Sequence, residues 1–211
     1  MAVLLVSSVC VTTYVAATEK VAVTGRDLEL QVESCLKKVK YLVSGFQQAQ
    51  STGEFFTGKI WLSKEDETKV RIQYLSGSNQ NILIINGKVI IFNIIDGKLK
   101  KYTYSISQTP IYSILVGNLD LSKEKYEILE NSEDVLAIEI TKSTVFTGMT
   151  VVLVFSKYKE SGNIQHLEVW SVGSENGKEG TVFNFIHPRN INDKSKIPDD
   201  VFDEKSVVQS S

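Results

Sequence analysis

The sequence predicts a mostly β protein with one amphipathic helix near its start and a long antiparallel sheet after it. Three observations support this: apolar residues at helical spacing in one early segment, a succession of short apolar segments after it, and Asn-Gly and Asp-Gly pairs between some of these. A length of 211 residues suits one domain with its own core. We therefore expect a single α+β unit with enough strands to curve into a barrel or half-barrel.

The first residues predict an export signal. Ala2 to Val15 is an apolar run without charge, and Val15-Ala16-Ala17 ends it with the small residues that signal peptidase accepts. The run is shorter than the ~20 apolar residues that a membrane-spanning helix needs. Met1-Ala2-Val3 lacks the basic residue that usually begins such a signal. We expect residues 1–17 to be removed and residues 18–211 to form the mature domain.

The next segment predicts the helix, over Asp27 to Val43. Its apolar residues recur at spacings of three and four, which places them on one helix face. Thr24 or Asp27 can cap the first turn. The pattern changes around Tyr41 to Gly45, where the strands begin. The apolar stripe consists of Leu28, Val32, Leu36, Val39 and Val43.

Turn sequences define the middle of the sheet. Asn86-Gly87 and Asp96-Gly97 suit the positive φ of tight hairpins, so the three segments that they separate should form an antiparallel meander. These segments are Ile82 to Ile85, Val89 to Ile95 and Leu99 to Ser107. Further strands are expected at Gly58 to Ser63, Lys69 to Leu75, Tyr126 to Leu129, Val135 to Thr141, Thr150 to Lys157, Gln165 to Val172 and Thr181 to Ile186.

A short apolar helix should interrupt the strands at Thr109 to Leu115. Thr109 is a candidate N-cap, and Pro110 occupies the first helical position, where proline is tolerated. The polar tail from Asn190 offers little core, although Pro198 to Glu204 could add one helical turn.

The sequence offers no evident catalytic or cofactor chemistry. Its two histidines, His166 and His187, lie in no recognisable catalytic motif, and Cys35 would be the one cysteine of the mature chain. These residues have no metal-ligand spacing, and the glycines form no phosphate-binding loop. A net charge of −2 argues against nucleic acid as a partner. We expect a protein that is not an enzyme and has no cofactor.

The clearest clue to function is an excess of apolar residues in two of the predicted strands. Ile82-Leu83-Ile84-Ile85 and Val89-Ile90-Ile91-Phe92 do not alternate with polar residues, so both faces of these strands are hydrophobic. One face can pack against the helix. What covers the other face is the question that bears on function, and ordinary protein core is the simplest answer.

The order of these features resembles the LolA family of periplasmic lipoprotein carriers. Gly45-Phe46-Gln47-Gln48 follows Leu36, Val39 and Leu42 as a Phe-x-Gln strand follows the first helix of that family. Gly58-Lys59-Ile60-Trp61-Leu62 is similar to its Gly-x-hydrophobic-Trp strand, and Lys69 to Tyr74 to the strand after it. Ile84-Ile85-Asn86-Gly87-Lys88 is similar to its Asp-Gly-Lys hairpin, and Tyr102 to Leu115 to its Thr-Pro lid helix. The resemblance covers roughly Asp27 to Phe202.

This resemblance implies an unclosed half-barrel whose helices act as a lid over a hydrophobic cavity for acyl chains. The implied function is a monomeric periplasmic carrier of acylated lipoproteins. It would receive them from an inner-membrane ABC-type release complex and pass them to an outer-membrane receptor. Full burial of one chain of roughly 16 carbons would gain on the order of 10 kcal/mol. Because that would trap the cargo, we expect an open, loosely packed cavity whose lid shifts.

The resemblance also implies the site residues. Val70, Ile72 and Tyr74 match positions that point into the family's cavity, and Trp61 and Phe92 are candidate aromatic lining. Core packing is the alternative role for each. The implied lid residues are Leu28, Val32, Leu36 and Val39 of the first helix and Pro110, Ile111, Tyr112, Ile114 and Leu115 of the inserted helix.

The loop after the Trp strand differs from the family pattern. The family often has Arg followed by Pro there, and the Arg helps to hold the lid closed. Here Lys64 and Glu65 take those places, and Asp66 to Thr68 lengthen the loop. Lysine lacks the planar fork of arginine, so Lys64 is a candidate for a weaker latch.

Two other functions compete with the carrier. The same half-barrel pocket could belong to a regulatory protein that senses lipid or mislocalised lipoprotein and signals to a membrane partner. Such sensors usually have a further domain, which favours the carrier for a chain of this length. An exported enzyme that uses His166 or His187 is the third alternative.

Overall fold

The fold, described from a computed structural model, consists of an N-terminal helix, a large antiparallel sheet and a short C-terminal helix. The described residues are 25–78, 80–85, 87–95, 98–105, 114–115, 117, 119–143, 148–174, 180–186 and 192–209. The helices are α1 (Gly25–Lys38) and α2 (Glu204–Gln209). The strands are β1 (Tyr41–Gln50), β2 (Phe55–Ser63), β3 (Lys69–Ser76), β4 (Gln80–Ile85), β5 (Lys88–Ile95), β6 (Lys98–Ser105), β7 (Lys125–Asn131), β8 (Val135–Lys142), β9 (Met149–Lys157), β10 (Ile164–Ser174) and β11 (Gly180–Ile186).

The 11 strands formed by the described residues belong to a single sheet, in the order β6-β5-β4-β3-β2-β1-β11-β10-β9-β8-β7. Every neighbouring pair is antiparallel. β6 and β7 are the two edges, so the sheet is not closed into a barrel. This confirms the predicted mostly β, unclosed fold with an N-terminal helix and a short helix.

The predicted end of the first helix is wrong. α1 ends at Lys38, and β1 begins at Tyr41, so Val43 lies in a strand, where it pairs with Trp61. From Leu42 onward every second side chain is buried, and this period of two overrides the helical spacing of the apolar residues. Val39 lies between the two elements and packs against the core.

The predicted meander of β4, β5 and β6 is confirmed by their antiparallel pairing. Gly87 has a φ of +73°, which agrees with the positive φ expected of the first turn. Asn86, Asp96 and Gly97 lie outside the described residues.

The sheet has two differently covered faces. We call the face under α1 the inner face and the opposite one the outer face. On β4 and β5, Ile84 and Val89 belong to the inner core, whereas Leu83, Ile90 and Phe92 form a second cluster on the outer face. This alternation explains the unbroken apolar runs, because both faces of these strands are covered by other parts of the chain.

The C-terminal segment covers the outer face. Residues 192–209, called here the C-terminal strap, place Val207 against Leu83, Ile90 and Phe92, and Val201 is buried too. The expectation that this tail offers little core is therefore wrong. Val201 and Val207 were not conspicuous within this polar segment. Across the described parts of the chain, no helix combines the length and hydropathy needed to cross a membrane.

Candidate functional site

The inner face of β1, β2 and β3 is built around a glycine. Gly58 lies between Phe46 on β1 and Tyr74 on β3 in the cross-strand register, and the Phe46 ring packs against it. The Phe46 and Tyr74 rings meet edge to face with centroids 5.4 Å apart. Such pairing of an aromatic ring with a strand glycine stabilises the sheet. Gly58 therefore leaves the space in which this aromatic wall forms.

Gln48 completes the wall. It is buried, and its side-chain oxygen accepts a hydrogen bond of 2.7 Å from the Tyr74 hydroxyl. Burial raises the pKa of Tyr74 to about 12, so the hydroxyl remains a donor at neutral pH. The Phe-x-Gln and Gly-x-hydrophobic-Trp patterns thus have one physical explanation, since Phe46, Gln48, Gly58 and Tyr74 assemble as a single packed unit.

α1 lies across the inner face and packs against β10 and the 3-10 helix Leu121–Lys123. Its apolar stripe of Leu28, Val32 and Leu36 is buried. Near its start, Glu29 accepts a hydrogen bond of 3.1 Å from the Tyr126 hydroxyl on edge strand β7. α1 is therefore the main cover of the inner face, and a side-chain hydrogen bond joins its first half to the edge of the sheet.

The predicted inserted helix is seen only in part. Ile114 and Leu115 are helical and buried in the inner core, next to α1. Gly117 follows with a φ of +75°, and a Cβ added there would lie 3.1 Å from the Leu36 carbonyl. The segment therefore lies directly against the last turn of α1. Pro110, Ile111 and Tyr112 lie outside the described residues.

Lys64 binds to the end of α1. Its side-chain amino group donates a hydrogen bond of 3.1 Å to the Leu36 carbonyl, one of the last carbonyls that a helix leaves without an internal partner. Its backbone N–H also binds the Lys40 carbonyl at 2.9 Å. Burial lowers the pKa of Lys64 to about 8. Lys64, the candidate latch, thus contacts α1. Its amino group is partly deprotonated at mildly alkaline pH.

Asn192 holds the junction between α1 and β1 from the other side. Its side-chain oxygen accepts hydrogen bonds from the backbone N–H of Lys40 at 2.6 Å and of Tyr41 at 3.3 Å. Its amide nitrogen donates to the Lys38 carbonyl at 3.1 Å. Asn192 adopts a φ of +64°, a conformation that asparagine tolerates better than most residues. No sequence pattern indicated this role.

The space between the sheet and the part of the cover that contains Ile114 and Leu115 is small. An apolar cavity of about 40 Å³ lies between α1, the Ile114–Leu115 segment and the strands. Ligand pockets usually measure roughly 300–1,000 Å³, so this cavity has no room for an acyl chain. This differs from the open cavity that we expected, because Leu36, Ile114 and Leu115 fill the space. The cavity is lined by Leu36, Val39, Leu42, Leu62, Ile114, Leu115, His166, Leu167 and Phe185.

The five candidate cavity residues divide between the two faces. Val70 and Ile72 lie in the inner core, and Tyr74 packs against it. Phe92 lies in the outer cluster with Val207. Trp61 alternates with the inner residues of β2, and the Arg71 guanidinium lies 5.4 Å from its ring centroid. Trp61 and Phe92 are thus wall residues of the outer face, because neighbouring side chains of a strand point to opposite sides.

Arg71 explains how Trp61 is covered. It lies on β3 between Trp61 and Leu83 in the cross-strand register and is buried. Its guanidinium donates a hydrogen bond of 3.1 Å to the Val201 carbonyl of the C-terminal strap. Neither the burial of Arg71 nor the residues that cover it were identifiable from the sequence.

The histidine and cysteine residues that could support chemistry have structural contacts. His166 Nδ1 lies 3.2 Å from the Ser156 hydroxyl, its cross-strand partner, and Nε2 lies 3.3 Å from Glu168. Cys35 is buried, which raises its pKa to about 11 and disfavours the reactive thiolate. Within the described part of the chain, no three His, Cys, Asp or Glu residues converge on a possible metal position. His187 is not among the described residues.

Comparison with known proteins yields structural similarities only. No protein-family model matches the sequence. No curated protein matches it either. A DUF1329 family protein from Desulfovibrio piger is similar, with a TM-score of 0.47 and 11% identity over 85% of this chain and 96% of that chain. A LolA superfamily protein from Nitrosomonas europaea has a TM-score of 0.41 and 13% identity over 88% of this chain and 100% of that chain.

The third similarity is to the MucA/MucB complex of Pseudomonas aeruginosa. The TM-score is 0.42, with 15% identity over 75% of this chain, which spans about half, 54%, of the matched chain. At such TM-scores and identities, these similarities establish neither the family nor the function of the protein.

Proposed function

We propose that this protein is a carrier that binds the acyl chains of lipoproteins on the inner face of its sheet, beneath α1 and the Ile114–Leu115 segment. It would work as a monomer in the periplasm, between an inner-membrane ABC-type release complex and an outer-membrane receptor, without a chemical step. The observation that best supports this proposal is the nature of the cover. A wide apolar sheet face is closed by one helix and a short separate segment, not by a second sheet.

Such a cover can move as a unit. Side-chain hydrogen bonds from Tyr126, Lys64 and Asn192 tie α1 to the rest of the fold. Cys35 adds a weak sulfur hydrogen bond of 3.8 Å to the Gln165 carbonyl. The buried stripe of Leu28, Val32 and Leu36 makes apolar contacts, which an acyl chain could replace with comparable burial of its own. Ligand entry would therefore exchange one apolar filling for another at a small net cost in free energy. That is a suitable property for a carrier, which must release its cargo.

The direct test is complex formation by residues 18–211 with a detergent-extracted triacylated lipoprotein. A non-acylated form of the same cargo serves as control. We expect a soluble one-to-one complex that depends on acylation. If well-folded protein binds neither form, the carrier is excluded. If it binds free lipid but no lipoprotein, the lipid-sensing function becomes the better explanation.

A second test concerns the cover itself. Gly117→Ala would place a Cβ 3.1 Å from the backbone of α1, which should push the two parts of the cover apart and speed acyl exchange. Gly148→Ala is a matched control, because Gly148 has the same φ of +75° but no atom within 4 Å of an added Cβ. Equal exchange rates of a fluorescent fatty acid in the two variants would argue against a mobile cover.

A further inference from the structure

A large groove lies beside the cover, between α1, the β9–β10 hairpin and the end of β11. Its volume is about 1430 Å³, and it is open to solvent on one side. The cavity residues expected from the sequence do not line it. Its lining consists of Leu30, Gln31, Ser34, Cys35, Lys38, Val39, Tyr158, Ser161, Asn163, Ile164, Gln165, His166, Glu168, Phe185, Ile186 and Asn192.

The groove is amphipathic. Gln31, Ser34 and Asn163 offer uncharged hydrogen-bonding groups from the helix and from the hairpin. Leu30, Tyr158 and Ile186 leave 58%, 51% and 39% of their surface exposed, so they offer the groove apolar surface that a ligand could cover. A ligand that suits these walls has both amide-like polar groups and apolar parts.

Its charges are balanced. Lys38 provides one cation, and Glu168, which contacts His166 at 3.3 Å, provides one anion. A phosphate group would be better served by several cations or by an arginine fork. Neutral ester and amide groups suit this lining better than a phospholipid headgroup does.

The groove adjoins the apolar cavity under the cover. Val39, His166 and Phe185 line both spaces, so these three side chains form the partition between them. Val39 belongs to the short junction between α1 and β1, and any movement of α1 would therefore displace one side of the partition. An acyl chain that moved from the groove to the inner face would therefore have to pass this position.

We propose that the groove binds the polar end of an acylated polypeptide, namely the glyceryl ester and amide groups of its acylated N-terminus and the residues next to them. The acyl chains pass between Val39, His166 and Phe185 to the inner face. This inference rests on the proposed function and extends it. The volume exceeds the roughly 300–1,000 Å³ of small-molecule pockets, as a peptide with its glyceryl group requires.

The test compares two ligands in one variant. Ser34→Trp would fill the groove from a half-buried position on α1, and Lys37→Trp is the control, because Lys37 is exposed on the same helix outside the groove. The probes are a short synthetic peptide with a diacylglyceryl cysteine at its N-terminus and free palmitate. Ser34→Trp should weaken lipopeptide binding about tenfold, as expected from one or two lost hydrogen bonds, and leave palmitate binding nearly unchanged.

The outcomes separate this inference from the function on which it rests. If the unaltered protein binds neither probe, both proposals fail. If it binds both but Ser34→Trp weakens neither, or weakens both equally, the groove inference alone is wrong. The groove inference would also fail if a soluble phospholipid headgroup competed with the lipopeptide as strongly as the non-acylated peptide does. Gln31→Trp, also half-buried in the groove, replaces Ser34→Trp if that variant does not fold.

Discussion

Gly58 provides the sharpest test of the aromatic wall. Gly58→Ala adds one methyl group on the inner face of β2. The Cβ would lie 2.5 Å from Cε1 of Phe46 and would also overlap the backbone oxygen of Gln73 on β3. Real Cβ atoms essentially never approach other atoms so closely. The ring can rotate away, but the peptide oxygen cannot move unless β2 and β3 separate.

The expected loss is large for a single methyl group. Overpacking a core typically costs about 1–3 kcal/mol, and the backbone clash places this variant near the upper end. For a domain of this size each kcal/mol corresponds to roughly 2–4 °C, so Tm should fall by about 6–12 °C. The pairing of β2 with β3 is irregular between Thr57 and Gly58, so the two strands could separate there to make room for the added methyl group.

Gly45→Ala is the matched control on the adjacent strand. A Cβ there would meet Ile186 at 3.6 Å, an ordinary contact, and Gly45 lies near Gly58 in the β1–β2 register. Alanine restricts the unfolded chain more than glycine does, so this variant should be neutral or stabilised by about 0.5–1 kcal/mol. Thermal and urea unfolding of both variants provide the measurement. Equal stability of the two would refute the close packing of Phe46 on Gly58.

Four further predictions concern the cover and the strap. Lys64→Arg should slow acyl exchange, because guanidinium offers the α1 carbonyls more donors; an unchanged rate would count against a latch. Because the pKa of Lys64 is lowered from 10.5 to about 8, the unfolded chain binds more protons than the folded one between those pH values. This group's contribution to the free energy of unfolding should therefore rise with pH from 8 towards 10.5, and Lys64→Met should remove that rise in urea unfolding. Asn192→Gly, which relieves the φ of +64°, should cost about 1–2 kcal/mol for its lost hydrogen bonds, and Asn192→Ala roughly 1 kcal/mol more; identical losses would exclude backbone strain. Val207→Asp should destabilise by about 2–3 kcal/mol or more by removing buried apolar surface and burying a charge, whereas Lys205→Asp, exposed on the same helix, should be nearly neutral.

The sequence by itself determined the local structure. Short apolar segments and the Asn-Gly and Asp-Gly pairs between them depend on near neighbours in the chain. They predicted the strands of the sheet and the meander of β4, β5 and β6. The Phe46 and Gly58 patterns also belonged to the sequence, although their common explanation required the register of β1 and β2.

Only the tertiary structure decided which face each side chain occupies and what covers it. Trp61 and Phe92 are aromatic, as we expected of residues that line a cavity. Each nevertheless lies on the outer face, because successive side chains of a strand point to opposite faces of the sheet. The hydrogen bond from Lys64 to the Leu36 carbonyl joins residues far apart in the chain, and so does the hydrogen bond from Asn192 to the Lys38 carbonyl. Packing of this kind depends on how the whole sheet curves and where its ends return, and no local pattern of residues encodes that.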